Sequence, residues 1–192
     1  MRRKTFDTLV SGGALIVAVV MLFAGILGFW AYSFTNSQVH DQLASQKIFF
    51  PPAGSKAIAG PEFTALQQYA GQQLTTGAQA EAYANHFIAV HLTEVAGGKT
   101  YAEVSSAAQA DPTNTTLQAQ ANTLFKGNTL RGLLLNAYAF WKVGQIALIA
   151  SIVCLIGAAG LFLLAGLGLR HARRTPAEAE ILVPHTAVPV AV

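Results

Sequence analysis

The chain should fold as an all-α membrane protein: an antiparallel two-helix transmembrane hairpin whose helices project into a small all-α extracytoplasmic module. Three observations predict this. Apolar residues make up 53% of the 192 positions and charged residues only 11%, against roughly 25% charged in soluble domains. The missing charge is concentrated, since no Asp, Glu, Lys or Arg occurs between Asp7 and Asp41 or between Lys142 and Arg170. Between those stretches apolar residues recur at helical spacing, and no strand-like alternation competes.

Residues 1–8, with Arg2, Arg3 and Lys4, form a cytoplasmic N-terminus by the positive-inside rule. Residues 9–32 are the first transmembrane helix, because a span needs about 20 apolar residues. The run resembles a secretory signal, but it is too long for an ordinary apolar signal core. It also ends in Trp30, Tyr32 and Phe34, where small cleavage-site residues would be needed, so it reads as a retained anchor. Residues 143–169 form the second span, and Arg170, Arg173 and Arg174 follow it. Basic residues flank the second span equally, so the first sets the topology. Both termini are then cytoplasmic and residues 33–142 lie outside. That segment is neutral: Lys47, Lys56, Lys99, Lys126, Arg131 and Lys142 balance Asp41, Glu62, Glu81, Glu94, Glu103 and Asp111. Nothing in it resembles the clustered basic surface that binds nucleic acid.

Small residues in the two spans follow intervals of three and four. The first carries Ser11, Ala14, Ala18, Gly25 and Gly28, with Met21 and Tyr32 on the same stripe. The second carries Gly144, Ala147, Ser151, Ala158, Ala165 and Gly168, with Cys154 and Leu161. Membrane helices pair where small residues let backbones approach, so these positions form the expected packing seam, at a crossing angle near +20°. Matching Tyr32 and Trp141 as interface markers places Met21 near Cys154 and Ala14 near Leu161. The second stripe runs back through Phe140, Ala137, Leu133 and Leu130, and the first on into Val39 and Leu43. The forty residues from Leu130 to Leu169 make about 60 Å of helix, twice the hydrocarbon thickness. The same alignment brings Arg131 within a turn of Asp41 as an ion pair. Contact with lipid phosphates beside Lys142, or plain solvation, are the other readings of that arginine.

The outer module opens on Ile48, Phe49 and Phe50, which plug an outer core or rest on the lipid interface, the core being favoured. Pro51, Pro52, Gly54, Gly60 and Pro61 then make an irregular connector. Pro61 suits a first helical position, with Phe63, Leu66, Ala70 and Leu74 on one face. Ala84, Phe87, Ile88, His91, Leu92 and Val95 form a second stripe that Gly97 and Gly98 end. Thr100 and Glu103 have capping-box spacing and open a third helix. Asp111-Pro112 predicts the start of the next, and Gly127-Asn128 a bend or interruption in it. The tail, residues 170–192, is expected to be disordered beyond its arginines.

Chemistry-bearing patterns are sparse. His86 and His91 lie on different helix faces, unlike an i, i+4 zinc pair. His91 and Glu94 share a face but fall short of the three or four ligands zinc takes. The single cysteine, Cys154, sits within a span, so no internal disulfide forms. The carboxylates are spread along solvated faces, and neither span carries the buried ionisable group that transport requires. The expectation is therefore no catalytic, cofactor-binding or metal residue, and no enzyme.

The segments "SQVHDQLASQKIFFPP", "YANHFIAVHL" and "TLRGLLLNAYAFWKVGQ" resemble a family of uncharacterised two-span membrane proteins from actinobacteria. The resemblance covers most of the chain except the tail. It implies the plasma membrane of a Gram-positive-type bacterium and brings no established activity. Members sometimes carry the name ring-opening dioxygenase, for which this sequence offers no metal constellation. The functional expectation is a non-catalytic accessory or scaffold subunit, in contact with membrane lipids, that presents its module to a protein partner or to further copies of itself. The alternatives are a ligand- or lipid-binding sensor and a homo-oligomeric channel.

Overall fold

A computed structural model describes residues 2–176 and 179–181. The tail beyond, where disorder is expected, lies outside the described residues. Within them the fold is helical, with two isolated β-bridges and no strand. The elements are α1 (Arg3–Ser45), two 3₁₀ segments (Lys56–Ile58 and Pro61–Tyr69), α2 (Gly77–Ala82), a π-helical turn (Tyr83–Ile88), α3 (Ala89–Ala96), α4 (Tyr101–Ala110) and α5 (Thr115–Arg174). Two of these helices, α1 and α5, are long and apolar enough to cross a membrane. The chain divides into two compact units, residues 1–30 with 147–192, and residues 31–146.

The first unit is built from small residues. Ser11, Ala18, Ser151, Ala158 and Ala165 are buried, as are Gly25 and, near the helix end, Ala172. Ala14, Gly28, Ala147 and Gly168 are half-buried. Gly25 and Gly28 let the other backbone in: a Cβ on Gly25 would lie 2.7 Å from Leu155 Cγ, and one on Gly28 3.2 Å from the Ala147 carbonyl. Ser151 Oγ donates a 2.6 Å hydrogen bond to the Gly25 carbonyl, which spares a buried hydroxyl an unmet bond. Met21 reaches Gly157 and Ser11 reaches Gly168. The expected Met21–Cys154 register is thus off by one helical turn, because interface aromatics mark a broad zone rather than one level. Outward, Ile16, Val20, Phe23, Leu27, Ile149, Ile156, Leu163 and Leu167 are exposed. Only 11% of each span's most apolar window is buried, unlike the core helix of a soluble domain. Near the helix ends Asp7 Oδ2 lies 3.8 Å from His171 Nε2, and Arg3 N–H donates to the Ala179 carbonyl at 2.9 Å.

The second unit has an ordinary large-residue core. Phe50, Ile58, Phe63, Leu66, Leu74, Ile88, Val39, Leu43 and Leu134 are buried together. Of the hydrophobic triplet, Phe50 enters this core at 2% exposure while Phe49 faces out. An antiparallel bridge sets that choice: Phe50 N–H donates to Gln72 O at 2.9 Å and Leu74 N–H to Ile48 O at 2.8 Å, and alternate residues of an extended segment point to opposite sides. After Pro61 the chain winds as a 3₁₀ helix rather than an α-helix. With three residues per turn, the inward face becomes Phe63, Leu66 and Tyr69.

Capping chemistry sets most boundaries. Thr76 and Gln79 cap α2 reciprocally, and Thr100 and Glu103 do the same for α4. Gly97 ends α3 in the left-handed conformation, φ 57°, which glycine adopts without steric cost. Two expectations are corrected. Asp111 closes α4, and Asn114 caps α5 instead, its Oδ1 accepting from Leu117 N–H at 3.1 Å. Gly127-Asn128 does not interrupt α5, which is helical throughout. Gly127 is needed for approach instead, since a Cβ there would collide with Leu92.

Candidate functional site

Two concavities lie within the second unit. The larger, about 500 Å³, runs between residues 34–46, the end of α1 and the turn after it, and Leu130–Phe140 of α5. Its floor is Val39, Leu43 and Leu134, all buried, and its walls include Leu133 and Phe140, which are 64% and 54% exposed. Gln38, Gln42, Gln46 and Asn136 supply its polar lining, and no charged residue contributes. The glutamines recur every fourth residue, so helical geometry places them in one row along α1.

The expected seam through Phe140, Leu133 and Leu130 is therefore corrected in phase: those three are exposed, and Leu134 is buried instead. In this unit α5 packs on residues 74–92 as well as on α1. Trp141 stacks over Gly77, and Leu92 over Gly127. A second neighbour turns the buried face toward Leu134, and the stripe continued from the span is left lining a groove.

Arg131 does not pair with Asp41. Asp41 is 75% exposed and lies 3.2 Å from His40 Nδ1, whereas Arg131 Nη2 donates to Asn85 Oδ1 at 2.8 Å. Register explains the correction. Gly144 meets Thr35, so Asp41, six residues past Thr35, is level with Tyr138. Arg131 lies seven residues further along, about 10 Å of helix. Asn85 in turn donates from Nδ2 to Glu81 Oε1 at 2.8 Å, giving a Glu81–Asn85–Arg131 chain. Sequence reading missed Asn85 because it sits in the π-helical turn, where side chains leave the 3.6-residue phase on which a face is counted.

The smaller concavity, about 250 Å³, is lined by Ala89, Leu92, Thr93, Lys99, Thr100, Tyr101, Leu124, Asn128 and Arg131. Beside it, Thr100 donates to the Glu103 carboxylate from its backbone N–H at 2.7 Å and from Oγ1 at 2.8 Å. These bonds hold the Glu103 carboxyl below the usual carboxylate range.

The histidine of the amphipathic stripe is packed. His91 Nδ1 is 2.8 Å from Phe87 O, and its ring lies 4.4 Å from that of Phe87 and 5.6 Å from that of Phe63. Burial raises the pKa of Tyr83, whose ring meets Phe50 edge-on at 5.2 Å. Among the described residues no three of His, Cys, Asp and Glu come together. Comparison with protein families, with curated proteins and with solved structures finds no match.

Proposed function

We propose that this is a non-catalytic integral membrane protein of a bacterial plasma membrane, an accessory or scaffold subunit of the actinobacterial two-span kind that its sequence resembles. In this reading α1 and α5 form a transmembrane hairpin, both termini are cytoplasmic, and residues 33–142 form the outer module. The outward apolar faces of both helices support lipid as their solvent. The observation that carries the function is the apolar groove with its uncharged lining. Amide and hydrocarbon side chains hold a partner but move no protons.

The groove's occupant is a helix of a partner protein. Its walls span Phe34–Gln46 and Leu130–Phe140, about 15–18 Å of helix, or three turns, the length over which i, i+3, i+4 and i+7 anchors engage a groove. An apolar ridge with uncharged flanks fits it, whereas a charged flank would lose solvation without gaining an ion pair.

The test is a photo-crosslinker at Leu133 in the native membrane. One partner protein should be captured at fixed stoichiometry, and Phe140→Glu should abolish the adduct without unfolding the chain, since Phe140 is exposed. An adduct with a second copy would replace the partner reading by self-assembly, and adducts to lipid alone would sink it. Topology is read separately: in a Cys154→Ala background, Ser105→Cys should react with an impermeant maleimide on intact cells.

A further inference from the structure

The 250 Å³ concavity is smaller than the roughly 300–1,000 Å³ of drug-sized sites, so it suits a small group. Two cationic side chains, Lys99 and Arg131, line it, and no carboxylate does. Arg131 is the residue whose charge the structure leaves incompletely answered. One nitrogen of its fork is held by Asn85, a neutral acceptor. Its Nε is buried with no hydrogen-bond partner, and among the described residues no carboxylate forms an ion pair with it. Arg131 is half-buried, and a cation withdrawn from water is normally paired. Asn85, itself anchored by Glu81, restrains a planar fork whose outer nitrogens can still donate to an oxyanion.

Lys99 lines the same concavity from the loop after Gly97-Gly98, with its backbone N–H fixed on Ala96 O at 3.2 Å. Thr93, Thr100, Tyr101 and Asn128 are the other polar residues of the lining. At the α4 N-terminus the capping box is already closed, the Glu103 carboxylate accepting from Thr100 N–H and the Glu103 N–H donating to Thr100 Oγ1. Attraction rests on the two cations. We infer that this cavity binds a phosphate group between Lys99 and Arg131, two positive charges against a tetrahedral oxyanion that accepts from both a fork and an ammonium. The group belongs to a soluble phosphate monoester or to an anionic lipid headgroup.

The test uses the full chain in two arms, read by amide hydrogen exchange over residues 93–101. In maltoside detergent the protein is titrated with inorganic phosphate. In nanodiscs, phosphatidylcholine is compared with the same lipid containing phosphatidylglycerol. Saturable protection is expected in at least one arm: with inorganic phosphate if the ligand is soluble, and only with phosphatidylglycerol if it is a headgroup. Lys99→Gln, at an exposed position and so harmless to folding, should weaken the response about tenfold, and Arg131→Lys, which keeps the charge but loses the fork, by about tenfold or more. No saturable protection in either arm, or the same response from both variants as from the parent, would overturn the site.

Discussion

The two units hold themselves together in different ways. In residues 31–146 the buried groups are large: Phe50, Ile58, Leu66 and Leu74 are almost fully enclosed, with Tyr69 and Tyr83 packed against Phe50. Among the described residues of 1–30 with 147–192 the buried groups are serine, alanine and glycine, and many of the large apolar side chains are exposed. Water rewards the enclosure of hydrocarbon. Lipid does not, so helices there gain from backbone proximity, dispersion and the occasional interhelical hydrogen bond. The same chain thus carries opposite burial rules, and the difference supports the membrane reading more directly than helix length does.

The comparison breaks most visibly at its largest residue. Phe50→Ala should cost the second unit about 3–5 kcal/mol in chemical unfolding monitored by tyrosine and tryptophan signals; a loss below about 1 kcal/mol would mean that this core is not cooperatively packed. Gly77→Ala tests close approach in the second unit. Its methyl would collide with Trp141 near the backbone, where the neighbour has little freedom to move, so about 1–3 kcal/mol should be lost, with a changed Trp141 environment. The counterpart in the first unit is Gly25→Leu. In a Cys154→Ala background, paired Ser11→Cys and Gly168→Cys should cross-link readily, and adding Gly25→Leu should suppress the cross-link while residues 50–90 keep their exchange protection. If both signals fell together, the two units would not be independent.

Smaller effects sharpen the contrast. Ser151→Ala removes the single bond to Gly25 O and should cost about 0.6–1 kcal/mol by steric trapping in bilayers, because close packing of the seam remains. Thr100→Ala should cost about 1 kcal/mol through lost capping of α4. The pH dependence of that cap has a definite sign. Glu103 has a lowered folded pKa, so its contribution is fully present above the ordinary carboxylate range and is lost as pH falls through the lowered folded value. Exchange in the first turn of α4 should accelerate only below the ordinary carboxylate range.

Much was legible in the sequence because it depends on near neighbours. Charge-free runs, the three-and-four spacing of Ser11 to Gly28 and of Gly144 to Gly168, the Thr100–Glu103 cap and the Gly97 terminator are local patterns with local physical causes. What misled was register. Tyr32 and Trp141 suggested an alignment that put Asp41 beside Arg131, yet aromatic belts fix depth only to within a turn or two. Gly127 read as a breaker because glycine weakens an isolated helix, whereas here its missing side chain admits Leu92.

The sequence by itself determined the helical class, the two long apolar helices, the Thr100–Glu103 cap and the Gly97 terminator, because these follow from composition and from contacts within four residues. Only the tertiary structure decided which face of α5 is buried beyond Gly144, how Asn85 meets Arg131 across 46 residues, and that a row of glutamines and an exposed apolar stripe form one groove. Those outcomes depend on where residues 74–92 pack against the long helices, and a side chain's partner across such a distance is set by interhelical register, which no local pattern encodes.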